Sequence, residues 1–418
     1  MSEGNTAPPR LISRPADGIP PVIETAEALA DATVRLAAGT GPLAVDTERA
    51  HGFRYWPKAY LIQLRREDAG TFLLDPTAFE DGADRADLSA LADALAEPEW
   101  ILHAATQDLP CLAEVNLLPH RLFDTELAGR LLGFPKVSLG ALVERGLGVS
   151  LAKEHSAADW SSRPLPQDWL SYAALDVELL VPLRAWIAEQ LARVGRTTWA
   201  AEEFDHLVAT AATPAVPRKE PWRRVSGLHQ VRTPRGLAAV RELWVARDQL
   251  AQQLDRAPGR LVADRALSEF GALVDDAQTI RLGRDGLRRV KGFRWRNAAR
   301  HESLWLDALD RAAALPPTQW PTRRAPADGV PPPKSWGRRF PEAAERWEHL
   351  RSALLGRAEE IGIARENLLP PEAVRQLAWE PPASITPTTI EASLVASGAR
   401  RWQREQTAHL LAAALVDR

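Results

Sequence analysis

The sequence predicts an α/β domain at the N-terminus, followed by two all-helical modules. Three observations carry that expectation. Short apolar strands alternate with amphipathic helical runs up to about residue 205. Two proline-dense stretches, 213–223 and 315–337, interrupt the chain, and proline there favours extended spacers over helix or sheet. The segment after each stretch is almost purely helical in its spacing.

The elements follow in order. Residues 1–20 are polar and proline-rich with no apolar core, so they predict a disordered leader and no signal peptide. Within 21–205, the runs PLAVDTE (42–48), AYLIQLR (59–65) and GTFLLD (70–75) follow closely enough to pair as antiparallel strands. LSALADALA, LPCLAEV and LAGRLL carry helical spacing, and 169–194 reads as one long helix. A linker over 206–229 leads to a helical domain over 230–314, and a second linker, 315–337, leads to another over 338–418. These two domains read as divergent repeats: 243–271 matches 350–378 as helix, short turn, helix, and each continues to a last helix bearing Trp305 or Trp402.

Composition narrows the function classes. The 418 residues contain a single cysteine, Cys111, which excludes an internal disulfide and a cysteine-based zinc cluster. No segment reads as a membrane span, so a cytoplasmic protein is expected. With a net charge of −3, any nucleic-acid surface must be local. One such patch is 281–300, where eight Arg or Lys face a lone Asp285, with Phe293 and Trp295 interleaved. That composition suits single-stranded RNA and equally suits a solvated face of a helical bundle. No phosphate-loop motif of an NTPase motor is present.

The candidate chemistry lies in acids. Asp46 and Glu48 end a strand and, by alternation, share a face, where two like charges suit a divalent cation, although a strand running into a polar turn also accounts for the pair. The same D-x-E spacing recurs at Asp124 and Glu126, where Asp124 reads as a helix N-cap. Asp108 precedes Leu109-Pro110 and an apolar run, which by itself reads as another cap. Tyr172 and Asp176 stand four residues apart on one helix face. His103 sits in an apolar setting and reads as a buried histidine.

The order of these motifs resembles the DEDD exonucleases of the tyrosine subclass. AVDTERA, HAATQDLPCL, KEHSAADWSSRPL and YAALDVELLVPL resemble the ribonuclease D family in particular, and the helical segments resemble its HRDC modules (helicase and ribonuclease D C-terminal). The resemblance implies a ribonuclease-H-like fold, a mixed sheet flanked by helices. It implies metal ligation by Asp46, Glu48, Asp108 and Asp176, with two divalent ions, Mg2+ first and Mn2+ as substitute. Tyr172, a poor base at pH 7, would orient the attacking water. The implied activity is 3′-to-5′ removal of 5′-mononucleotides from structured RNA such as tRNA precursors, by a monomer. A DNA 3′ exonuclease and an inactive nucleic-acid-binding scaffold are the alternatives. Expected RNA contacts are Tyr55 and Trp56, Lys153, His155 and Arg163, and Arg288, Arg289 and Lys291 of the basic patch.

Overall fold

The computed structural model describes residues 9–82, 85–151, 157–214, 216–274, 283–324 and 329–416. Eight strands occur among them: β1 (Arg10–Ile12), β2 (Val22–Ile23), β3 (Thr40–Arg49), β4 (Ala59–Glu67), β5 (Gly70–Leu74), β6 (Trp100–Leu102), β7 (Leu122–Asp124) and β8 (Val149–Leu151). Six of them form one sheet in the order β2-β5-β4-β3-β6-β7. The antiparallel meander β3–β4–β5 is the one the sequence predicts, and β6 and β7 extend it in parallel with β3. This is the mixed sheet of a ribonuclease-H-like α/β domain.

Alternation along β3 decides what each face holds. Leu43 and Val45 join the large core beneath the sheet, together with Ile62 and Leu64 of β4. Ala44 turns to the opposite face, where it packs with Ile101, Val177 and Leu180. That face continues through Asp46 and Glu48, so the same period that builds the core delivers both acids to one side.

Three expectations change. The predicted single helix over 169–194 is two, Gln167–Glu178 and Leu180–Arg193. Pro182 has no N–H to give the Glu178 carbonyl, so the first helix ends there. The leader predicted to be disordered contributes β1, which pairs in parallel with β8. The proline-dense stretches are not loose spacers. They contain 3-10 turns at Pro221–Arg224, Pro317–Gln319 and Pro333–Ser335. Their indoles anchor them: Trp222 and Trp336 are buried, and Trp336 Nε1 donates to the Pro331 carbonyl at 2.8 Å.

The helical half repeats one order of elements. A long helix, Pro234–Gln253, is followed by one turn, Pro258–Leu261, then Asp264–Leu273, and a last helix, Glu302–Ala314. The later counterparts are Pro341–Ile361, Arg365–Leu368, Pro371–Trp379 and Arg401–Val416, the last preceded by a helix at Pro387–Ala396 where the first group has the short helices Gly283–Arg289, Lys291–Arg294 and Arg296–Ala299. In both, the long helix packs against the third and last members. The second group shares the core of the α/β domain: Trp402 stacks on Trp199 with centroids 4.7 Å apart, and Arg400 pairs with buried Glu203 at 2.8 Å. The first group grips the loop after β3. Asp255 Oδ1 accepts from the backbone N–H groups of Tyr55 and Trp56, each at 3.1 Å, and Arg260 covers the Phe53 ring.

Candidate active site

Asp46 and Glu48 on β3 meet Asp176 from the helix Gln167–Glu178, which packs across β3, β4 and β5. One carboxylate oxygen from each lies within 4.8 Å of the other two. Asp108 borders the same cavity, of about 450 Å³, as do Thr47, Arg49, His103, Glu126 and Tyr172. The structure thus gathers three of the four predicted acids tightly and holds the fourth beside them.

The cap reading of Asp108 does not describe its side chain, which makes no hydrogen bond to the first turn of the Leu109–Ala113 helix. Instead Asp108 Oδ1 accepts from Thr47 Oγ1 at 2.7 Å and lies 3.6 Å from the Arg49 guanidinium. Thr47, on the opposite face of β3 from its neighbouring acids, is what fixes Asp108. Asp124 does act as a cap: its carboxylate accepts from the N–H groups of Glu126 and Leu127, and also from those of Ala104 and Ala105. That second pair ties down the chain just before Asp108.

Burial and crowding disfavour negative charge here. Burial, then Asp108 and Asp176, raise the Asp46 carboxyl well above its usual range. Burial, then Asp46, Asp176 and Asp108, do the same to Glu48. Burial lifts Asp176 to about 7 against a hydrogen bond from Tyr172, and lifts Asp108 to about 6 against Arg49 and Thr47. Tyr172 is itself raised, first by burial and then by Asp176, so its hydroxyl keeps its proton at neutral pH. His103 lines the cavity, bonded through Nδ1 to Thr125 Oγ1 at 2.9 Å, and burial lowers it to about 4, so it is neutral. Among the described residues lining the cavity, Arg49 is the one cation, and it does not balance four clustered carboxylates. An all-oxygen donor set with that surplus of charge fits hard divalent cations.

The predicted RNA contacts lie elsewhere. Arg163 is occupied within the protein, pairing with Asp75 at 2.6 Å and donating to the Tyr60 carbonyl at 2.9 Å. The Tyr55 hydroxyl donates to Asp248 at 3.1 Å, which makes it part of the grip between domains, while the neighbouring Trp56 is exposed. Arg288, Arg289 and Lys291 are exposed on the first helical group, with Trp295 beside them. Lys153 and His155 lie outside the described residues. Sequence reasoning missed Thr47 and Arg49 as site residues; their signal was adjacency to the acids.

Comparison with known proteins identifies the family. Residues 20–192 match the 3'-5' exonuclease family, and 329–415 match a 3' to 5' exonuclease C-terminal domain. A ribonuclease D from Acidiphilium cryptum is 32% identical over 354 residues, covering 82% of this chain and 85% of its own. The crystal structure of a protein from Bifidobacterium adolescentis superposes with a TM-score of 0.86 at 36% identity, covering 98% of this chain and all of that one. That of Escherichia coli RNase D shares the fold, with a TM-score of 0.65 at 24% identity over 95% of this chain and 98% of that one. With a clustered acid site on a ribonuclease-H-like sheet and relatives matched over most of their length, the chain belongs to the ribonuclease D family and is a 3′-to-5′ exoribonuclease.

Proposed function

We propose that this exoribonuclease trims the 3′ ends of structured RNA, tRNA precursors among them, releasing 5′-mononucleotides with the help of two Mg2+ ions, for which Mn2+ can substitute. The observation that carries this reading is the gathering of Asp46, Glu48 and Asp176 within 4.8 Å beside Asp108. When bound, a pair of divalent ions supplies an activated water and neutralises the attacking and leaving oxygens of the phosphodiester.

The chain's own residues do the rest. Asp46, Glu48 and Asp176 bind the cations, and Asp108 joins them under the control of Thr47 and Arg49. Tyr172 holds its proton and is tied to Asp176, so it orients the attacking water by hydrogen bond rather than deprotonating it. The cavity of about 450 Å³ suits a terminal nucleotide. Exposed Trp56 stacks on a base near the site, while Arg288, Arg289 and Lys291 hold backbone phosphates, giving the HRDC-like modules the role of grip. The protein acts as a cytoplasmic monomer; no helix among the described residues is long and apolar enough to cross a membrane.

The test is digestion of matched 5′-labelled RNA and DNA oligomers with and without Mg2+. A descending ladder from RNA that requires the metal is expected. Faster cleavage of DNA would identify a DNA exonuclease, no cleavage a scaffold, and internal cuts on a circular RNA would refute the exonuclease assignment.

A further inference from the structure

Gln63 lies on β4 at the register position directly opposite Asp46 on β3. Opposed side chains of an antiparallel pair share a face, with Cβ atoms about 5 Å apart. Gln63 is fully buried, and it stands directly across from Leu73 of β5, on the face covered by Ala173 and Ala174 of the Asp176 helix. Neither its amide nitrogen nor its amide oxygen has a partner among the described residues. Leaving a buried polar group unsatisfied is destabilising. A long amide in the middle of an apolar layer is an expensive choice unless something uses it.

The acid opposite has the complementary deficiency. Asp108 has Thr47 and Arg49, and Asp176 has Tyr172. Asp46 accepts the backbone N–H of Thr47 and, among the described residues, no side-chain donor. A donor without an acceptor therefore stands across from a carboxylate that has no side-chain donor among the described residues. An amide suits this position better than a cationic side chain would, because it can orient a carboxylate without neutralising the charge that a metal needs.

We propose that Gln63 is a positioning residue of the metal site, its amide N–H donating to the Asp46 carboxylate and fixing the orientation in which that carboxylate meets a divalent cation. The inference rests on the metal-binding reading given above. Residues that orient metal ligands typically govern affinity by about ten- to a hundredfold.

The experiment measures Mn2+ binding to the full chain by calorimetry for wild type, Gln63→Leu and Gln63→Met, alongside unfolding temperature in EDTA. Both variants should bind Mn2+ at least about tenfold more weakly. Their unfolding temperature in EDTA should be unchanged or higher, since in the metal-free structure the amide makes no hydrogen bond that the variants would lose. If Gln63→Leu fails to fold, Gln63→Met, of equal length and without a donor, gives the answer. Mn2+ affinity within threefold of wild type in a folded variant overturns the proposal and leaves the metal reading standing. That result would assign the amide to the core as one more unpartnered buried group, as the Trp160 indole N–H is. A wild type that binds no Mn2+ overturns both.

Discussion

Replacing Asp176 with Asn should stabilise the metal-free protein and destabilise the metal-loaded one. Burial lifts this carboxyl from its ordinary 3.8 to about 7. Holding it ionised above that value costs about 4 kcal/mol relative to the unfolded chain. Because one proton can serve several neighbouring carboxylates, we expect about half of that, ~2 kcal/mol, to return when one charge is removed. Asn keeps an oxygen for the Tyr172 hydroxyl, so that hydrogen bond survives. For a domain of this size the gain corresponds to roughly 4 °C in unfolding temperature. The sign fixes the pH dependence as well: a carboxyl raised in the folded state contributes stability fully present below 3.8 and lost as pH rises through about 7. Wild type in EDTA should therefore gain stability as pH falls from 8 towards 6, and the variant should respond less. Saturating Mg2+ adds about 2.7 kcal/mol to wild type at a hundred times its dissociation constant, and far less to a variant lacking one ligand. Thermal unfolding at pH 8, with EDTA and then with Mg2+, reads the reversal. A variant less stable than wild type in EDTA would refute the electrostatic argument.

Four further outcomes are expected. Asp46→Asn, Glu48→Gln and Asp108→Asn should each lower turnover by about a thousandfold while RNA affinity persists; near wild-type turnover in two of them would disqualify the site. Tyr172→Phe should reduce kcat by about ten- to a hundredfold with KM little changed, the loss of one orienting hydrogen bond, and an abolished reaction would give the phenol a larger role. Replacing Arg288, Arg289 and Lys291 with Glu should weaken binding of tRNA-like RNA and flatten its salt dependence by about 0.7 per lost phosphate contact, whereas unchanged slope and affinity make the cluster a solvated helix face. Arg400→Met leaves Glu203 buried with the Trp402 indole as its remaining side-chain donor, so calorimetry should show a loss of about 3 kcal/mol, and a loss under 1 kcal/mol contradicts the burial argument.

The meander β3–β5 was legible because each strand is long enough for alternation to show. β6 and β7 were not, since three residues buried on both faces leave no period to read. β1 is a strand only because β8 lies beside it, and nothing in Arg10–Ile12 announces a partner about 140 residues away. The break at Leu179 had a visible cause in Pro182, overlooked because the apolar spacing continues smoothly across it. Trp222 and Trp336 likewise signalled that the proline-rich stretches pack, since a large indole gains more from burial than a spacer gains from freedom.

The acids show the same division between local and long-range information. Alternation puts Asp46 and Glu48 on one face of β3 and helical spacing puts Asp176 on a helix, as the structure has them, because each rule acts within one element. Asp108 looked like a cap because its neighbours are those of a cap; which strand end its loop would fold over, and that Thr47 would receive it, are tertiary facts. The proline-dense stretches do not part the α/β domain from the helical groups. The loop held by Asp255 begins a few residues after Glu48, and the Phe53 carbonyl accepts from Ala257 N–H at 3.0 Å. Trp199 depends on Trp402 from the other helical group. Cutting the chain near residue 212 would free the loop beside β3 and uncover Trp199 at once, so a loss of activity would not distinguish grip from support. Charge reversal at Arg288, Arg289 and Lys291 changes exposed side chains alone, and so isolates the contribution of phosphate contacts from the scaffold that holds Asp46 and Glu48 in place.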